Sequence, residues 1–180
     1  QTPLVGERMA QAFHAAGIPK DVFQNIFLEH QTTTSLIEDR AFDFINFTGS
    51  VPGGKAIETA ANGTFTTIGL ELGGKDPGYV MDDADLDKAV DTLIDGAMFN
   101  SGQCCCGIER IYVHESLFKD FVDKAVAIVN NYKLGNPLDA ETTLGPMAHV
   151  RFADEVRAQI AEAVTAGAIA LIDPSKFPAD

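Results

Sequence analysis

Residues 42–72 read FDFINFTGSVPGGKAIETAANGTFTTIGLEL, and this stretch decides the fold. Its two ends, 42–48 and 64–72, are rich in apolar and β-branched residues and are typical of buried strands. Between them, Gly49-Ser50 forms a turn and Pro52 stands at the first position of a predicted helix. The order strand, helix, strand predicts two parallel neighbours in an α/β sheet.

The turn at Gly49-Ser50 is also a predicted anion site. It places the N-terminus of a helix directly beyond the carboxyl end of a strand. The free N–H groups of a first helical turn and the positive end of the helix dipole both favour a bound negative charge. The sequence therefore predicts an anion site at this turn.

Working outward, the hydrophobic periodicity predicts further elements on both sides of residues 42–72. Helices are predicted at 3–16, 33–39, 82–98 and 152–166, with another beginning at Ser116. Strands are predicted at 22–28, 108–113 and 168–172. Asp82-Asp83 and Ser116 are the predicted N-caps of their helices. Strands alternating with helices predict the α/β class.

Composition limits the possible functions. The chain has 180 residues and a net charge of −13, without a cluster of Lys and Arg, so nucleic acid is not an expected partner. No apolar run reaches the length of a membrane span, and Gln1 opens a polar segment without an initiator Met. A soluble, cytoplasmic protein without a membrane or nucleic-acid partner is predicted.

Residues 101–110 read SGQCCCGIER and contain all three cysteines of the chain. Three adjacent thiols cannot form a disulfide framework, and without C-x-x-C spacing or a histidine nearer than His114 no metal site is predicted. The acidic residues of segment 82–87 are interpreted as a helix start rather than a calcium site. Two interpretations of the cysteines remain: small buried apolar residues, or one nucleophile with neighbours that line a pocket.

A carboxylate stands at the end of an apolar strand. Glu71 closes the run Ile68-Gly69-Leu70 and precedes Gly73-Gly74. In apolar surroundings, such a group suits general-base catalysis near neutral pH. An exposed glutamate at a sheet edge is the equally weighted alternative.

Three segments of the chain resemble one family of enzymes. Residues 70–77 read LELGGKDP and residues 99–106 read FNSGQCCC, and they are similar to the glutamate and cysteine signatures of the NAD(P)-dependent aldehyde dehydrogenases. Glu71 and Cys105 are 34 positions apart, which is the family's spacing between base and nucleophile. Residues 47–50, FTGS, with Gly54, resemble its cofactor segment. Further similarities follow in family order, so the resemblance covers nearly the whole chain.

The resemblance implies an oxidoreductase that converts an aldehyde to a carboxylic acid through a cysteine thiohemiacetal and thioester. Cys105 would be the nucleophile and Glu71 the general base, with NAD or NADP as cofactor. No metal is implied. The implied cofactor-binding residues are Thr48, Gly49, Ser50, Gly54 and Leu72, and the implied substrate-pocket residues are Phe99, Cys104 and Cys106.

The resemblance also implies two domains. Residues 1–71 correspond to the C-terminal portion of a Rossmann-like, parallel-sheet NAD(P)-binding domain, and residues 72–180 to the N-terminal portion of an α/β catalytic domain. The chain is then a central fragment of an enzyme that is a homodimer or homotetramer. Alone it is expected to be inactive, because family residues that complete the oxyanion hole and bind the cofactor ribose lie outside it.

Two other functions stay open at this stage. A binding or interaction module could keep the α/β scaffold without the reaction, since fold alone does not imply activity. A CoA-acylating relative would transfer the thioester to CoA rather than to water, although the presence of Glu71 favours hydrolysis.

Overall fold

The computed structural model describes residues 2–177. The chain divides into two compact units, with the division between Leu72 and Gly73. Each unit contains one pair of parallel strands joined by a crossover helix, which confirms the predicted α/β class. Gln1 and Asp180, the outer limits of the two predicted domains, lie outside the described residues.

The first unit is built around the stretch 42–72. Its described elements are, in chain order, α1 (Pro3–Ala15), α2 (His30–Glu38), β1 (Phe44–Gly49), α3 (Val51–Ala61) and β2 (Thr67–Leu72). β1 and β2 run parallel, in a register that pairs Phe44 with Thr67 and continues to the pair Gly49 and Leu72. Ile37, Ala60 and Ala61 form the buried core between the helices and this sheet. The predicted pair of parallel strands is confirmed.

The start of α3 follows directly from the sequence around Ser50. The Ser50 hydroxyl oxygen accepts a hydrogen bond from the Gly53 N–H at 3.2 Å, so Ser50 is the N-cap. Pro52 lies in the first turn, where its missing N–H costs no intrahelical bond. The helix therefore begins within two residues of the end of β1.

The second unit repeats the same arrangement. Its described elements are β3 (Asp76–Val80), α4 (Leu86–Met98), a 3₁₀ helix (Phe99–Gly102), β4 (Ile108–Val113), α5 (Glu115–Val129), α6 (Val150–Thr165) and a second 3₁₀ helix (Pro174–Lys176). β3 and β4 are parallel, with an irregularity in register between Asp76 and Pro77. The buried core consists of Val80, Val90, Ile94 and Phe121.

Two predicted caps are wrong by a few residues. The N-cap of α4 is Asp85, whose carboxylate accepts from the Lys88 N–H at 3.2 Å, whereas Asp82-Asp83 lie in the preceding turn. The N-cap of α5 is His114, whose Nδ1 accepts from the Ser116 N–H at 3.3 Å. In both cases several neighbouring polar residues could cap the helix, so the sequence pattern places the first residue only to within a few positions.

Two predicted strands do not form, and one strand was missed. Segment 22–28 is irregular: within the described residues no strand pairs with it, and the Phe23 carbonyl oxygen lies 3.0 Å from Nε2 of His14 on α1. Segment 168–172 is also irregular, and Ile169 within it is 82% exposed. β3 escaped prediction because it has only five residues and contains Pro77 and Gly78, both unusual in strands.

None of the helices in residues 2–177 combines the length and apolar character that a membrane span requires.

Candidate active site

The strand register of the first unit brings several of the predicted site residues together. Thr48 on β1 pairs with Glu71 on β2, and Gly49 pairs with Leu72. All four residues therefore lie at the carboxyl edge of the two parallel strands. The sequence left two alternatives for Glu71, apolar surroundings or an exposed sheet edge. In this structure the Glu71 side chain is exposed.

The N-terminal turn of α3 packs closely on this edge. On α3, a Cβ on Gly53 would lie 2.7 Å from Cζ of Phe47 on β1, and one on Gly54 would lie 3.0 Å from Cδ2 of Leu72 on β2. Glycine thus lets the helix start pass close to both strands. The first turn of α3 carries no acidic residue, so no carboxylate of that turn neutralises the positive end of the helix dipole. The free N–H groups of this helix start can therefore hold an anion such as a phosphate group.

In the second unit, the segment before the cysteines has an unusual backbone. Asn100, Ser101 and Gly102 have φ angles of 52°, 59° and 76°, three consecutive residues in the left-handed region. Two reciprocal bonds hold this conformation: Asn100 Nδ2 donates to the Gln103 carbonyl at 3.1 Å, and Gln103 Nε2 donates to the Asn100 carbonyl at 2.9 Å. Backbone of this kind costs energy and is common where function requires a fixed geometry.

Further hydrogen bonds fix residues 100–107, which we call the thiol turn, to its own unit. The Gln103 Oε1 accepts from the Ala148 N–H at 2.8 Å, and the Ser101 hydroxyl donates to the Gly145 carbonyl. The Cys105 carbonyl accepts from the Gly74 N–H at 3.1 Å. Sequence reasoning missed these anchoring roles; the only signal was that Ser101 and Gln103 lie in the cysteine signature, residues 99–106.

The three thiols of the turn form one group. Their sulfur atoms all lie within 4.8 Å of one another, and Sγ of Cys104 and Sγ of Cys106 are 3.4 Å apart. Cys105 and Cys106 are exposed and Cys104 is half-buried, so the interpretation as buried apolar residues is wrong.

Cys104 and Cys106 are not equivalent as acids. Hydrogen bonds from the backbone N–H and then the thiol of Cys106 lower the pKa of Cys104. The same thiol–thiol bond, with the negative charge on Cys104, raises the pKa of Cys106. The bond therefore favours thiolate at Cys104 and thiol at Cys106.

Phe99 lines a cavity that the cysteines do not share. The cavity has a volume of about 200 Å³. Its lining consists of Asp95, Met98, Phe99, Asn100, Tyr132, Thr143, Leu144 and Gly145. Within the described residues, the structure thus brings the thiols together but gives Phe99 a different set of neighbours.

Comparison with known proteins decides the family. The family model described as "Aldehyde dehydrogenase family" matches residues 1–179. This chain belongs to the aldehyde dehydrogenase family. The resemblance carried by the two signatures is therefore confirmed.

Individual aldehyde dehydrogenases are similar in sequence and structure to this chain. Succinate-semialdehyde dehydrogenase [NADP(+)] 1 of Mycobacterium bovis is 35% identical over 161 residues, which are 89% of this chain and 35% of that protein. Lactaldehyde dehydrogenase from Escherichia coli is 32% identical with a TM-score of 0.89, covering 95% of this chain and 36% of that one. Betaine aldehyde dehydrogenase from Staphylococcus aureus, in complex with NAD+, is 31% identical with a TM-score of 0.85, covering 92% and 33%.

The comparison also gives the proportion of an aldehyde dehydrogenase that this chain represents. It spans about a third of the length of the curated relatives that it matches. Its parallel-stranded α/β architecture agrees with the solved aldehyde dehydrogenase structures.

Proposed function

We propose that a protein of its relatives' length that contains this chain oxidises an aldehyde to a carboxylic acid with NAD+ or NADP+. The strongest support is that the match to the family model, over residues 1–179, contains both signatures. In the structure, Cys105 is exposed on an anchored turn and Glu71 lies at the carboxyl edge of a strand. The relatives include one named for NADP(+) and one solved with NAD+, so either nucleotide is consistent with the family.

The nucleotide is proposed to bind the first unit. Residues 1–71 would form part of the NAD(P)-binding domain and residues 72–180 part of the catalytic domain. Thr48, Gly49, Ser50, Gly54 and Leu72 are the proposed cofactor-binding residues. The close approach of α3 to β2, which a side chain at Gly54 would obstruct, supports this assignment.

Covalent catalysis is assigned to Cys105. Its thiolate would add to the aldehyde carbon and form a thiohemiacetal, whose oxyanion the Cys105 N–H helps to stabilise. Cys104 and Cys106 are proposed as neighbours in the substrate pocket, together with Phe99. The hydrogen bond from Gly74 to the Cys105 carbonyl supports a fixed backbone at the nucleophile.

A bound nicotinamide nucleotide would supply the hydride acceptor that turns the thiohemiacetal into a thioester. Glu71 would then remove a proton from water, which attacks the thioester carbon and releases the acid and the Cys105 thiol. An exposed carboxylate can exchange its proton with solvent, which suits this role. A base at this position favours hydrolysis over transfer to CoA. The homodimer or homotetramer and the cytoplasmic location remain predictions.

Three alanine variants test the assignment in the protein at its relatives' length. Cys105→Ala should abolish aldehyde-dependent NADH or NADPH formation, whereas Cys104→Ala and Cys106→Ala should mainly change the preference among aldehydes. Because the pKa of Cys104 is lowered, Cys104 is the rival nucleophile. Activity retained in Cys105→Ala and lost in Cys104→Ala would contradict the assignment of the nucleophile. Formation of an acyl-CoA product when CoA is added would show that the thioester is transferred to CoA rather than hydrolysed.

A further inference from the structure

We propose that Cys104, Cys105 and Cys106 together bind one thiophilic divalent cation, such as Zn²⁺ or Cd²⁺, through three thiolates. This inference goes beyond the proposed function and does not depend on it. It rests on where the thiol turn places the three sulfur atoms.

The distances between the sulfur atoms suit a shared metal ion. With metal–sulfur bonds of about 2.3 Å, two thiolates of a tetrahedral site are roughly 3.8 Å apart. The three Sγ atoms all lie within 4.8 Å of one another, and those of Cys104 and Cys106 are 3.4 Å apart. Small side-chain rotations would therefore complete a three-sulfur site without a rearrangement of the backbone.

The backbone of the site is already fixed. The Cys104 carbonyl accepts from the Gly107 N–H and the Cys105 carbonyl from the Gly74 N–H, each at 3.1 Å. A site whose ligands are held in place loses little conformational entropy when it binds. Because Cys105 and Cys106 are exposed, a metal ion can enter from solvent and keep a water molecule as its fourth ligand.

Charge and chemistry both favour a soft cation. Thiolates prefer Zn²⁺ and its heavier relatives over Mg²⁺ or Ca²⁺, which select oxygen ligands. Each thiol gives up its proton to the solvent as the metal–sulfur bond forms, so a divalent ion with three thiolates leaves one negative charge. The chain's net charge of −13 adds a general attraction for cations.

The spacing rule predicted no metal here because zinc ligands usually come in C-x-x-C pairs. That rule assumes an ordinary turn between the ligands. In this chain the left-handed residues before the cysteines and the bond between Gly107 and Cys104 fold three successive residues so that their thiols converge. A metal ion bound there would occupy the Cys105 thiol and make it unavailable to other reagents.

Cadmium titration of the reduced 180-residue chain tests the proposal. Thiolate-to-cadmium charge-transfer absorbance should saturate at one Cd²⁺ per chain. Cys104→Ser, Cys105→Ser and Cys106→Ser should each weaken the affinity by about tenfold or more, since even outer-shell changes cost 10–100-fold. The triple Cys→Ser variant keeps every carboxylate and should show no band. Saturation at one Cd²⁺ per two chains, or single variants that bind as tightly as the parent, would overturn the proposal.

A second measurement needs no variant. Iodoacetamide alkylation of the reduced chain, followed at each cysteine by mass spectrometry, should slow by about tenfold or more at all three positions when Cd²⁺ is added. Mg²⁺ at the same concentration is the control and should leave the rates unchanged, because it avoids sulfur ligands. Protection of only one or two cysteines would exclude a three-thiolate site.

Discussion

At the scale of single residues, the chemistry of this chain depends on how its backbone holds a few side chains. Asn100 and Ser101 adopt left-handed φ angles that cost on the order of 1–3 kcal/mol each in non-glycine residues. Side-chain bonds between Asn100 and Gln103 offset that cost and fix the residues that precede Cys105. The proposed nucleophile is thus positioned by neighbours that have no proposed role in the reaction.

Tyr132 offers a test of burial in the second unit. Its ring packs against the core formed by Val80, Val90, Ile94 and Phe121. Burial, and to a lesser extent the nearby Asp95 carboxylate, raise the pKa of Tyr132 above its usual value of about 10. The folded state therefore holds this proton more tightly than the unfolded state. The resulting contribution to stability is complete below pH about 10 and is lost as the pH rises through the raised pKa.

Alkaline titration of tyrosinate absorbance, compared between the parent chain and Tyr132→Phe, isolates this group. The difference curve should have its midpoint above pH about 10. Tyr112→Phe removes an exposed tyrosine and serves as the control. A midpoint for Tyr132 at or below that pH would show that its ring is solvated and would contradict the packing.

At the scale of elements, prediction from sequence succeeded where local signals were strong and failed where tertiary contacts decide. β4 forms at its predicted residues, and α3 begins at the Ser50–Pro52 signal. Segment 22–28 has the composition of a strand, but composition cannot say whether a neighbouring strand is present to pair with it. The composition of β3 is not typical of a strand, yet β3 forms because its residues pair in parallel with β4.

Close packing of α4 on β3 explains why glycine stands at position 78. Gly78 is buried, and a Cβ there would lie 2.6 Å from Cδ2 of Leu93 on α4. Gly78→Ala should therefore reduce the free energy of unfolding of the second unit by about 1–3 kcal/mol, because the Leu93 side chain must leave its packed position or α4 must move away from the strand. Chemical denaturation followed by circular dichroism measures this change.

Gly73→Ala is the matched control for that variant. A Cβ at Gly73 would meet no atom within 4 Å. This substitution should leave stability unchanged or raise it by up to about 1 kcal/mol, through the lower entropy of the unfolded chain. Equal destabilisation by both substitutions would mean that close packing of α4 on β3 is not the cause.

At the scale of the whole molecule, the sequence could predict the family and suggest residue roles, but it could not predict how the residues are arranged. Glu71 and Cys105 lie 34 positions apart in two signatures, and their proposed roles come from the family resemblance of those signatures. The convergence of three thiols, and the anchoring of Gln103 to Ala148, depend on backbone angles that no spacing rule contains. These features follow from tertiary structure, so they could be found only in the folded chain.

The net charge of −13 has a consequence for the stability of the folded chain. Mutual repulsion among surface carboxylates opposes the compact state and is screened by salt. Raising NaCl from about 0.01 M to about 0.15 M should therefore raise the melting temperature, by roughly 2–4 °C if about 1 kcal/mol is relieved. Scanning calorimetry measures the shift.

The salt effect should shrink as the pH is lowered towards the isoelectric point near 4.5, where the net charge vanishes. A shift that is the same at both pH values would indicate a general effect of salt on the solvent rather than screening of charge.

The proposed mechanism is tested most directly by trapping the covalent thioester intermediate. In the protein at its relatives' length, Glu71→Gln should still form the thioester but hydrolyse it slowly, since the carboxylate that activates water is gone. Incubation of this variant with an aldehyde and NAD+ or NADP+, followed by mass spectrometry, should show one acyl group on Cys105. An acyl group on Cys104 or Cys106 instead, or hydrolysis as fast as in the parent, would contradict the assignment of nucleophile and base.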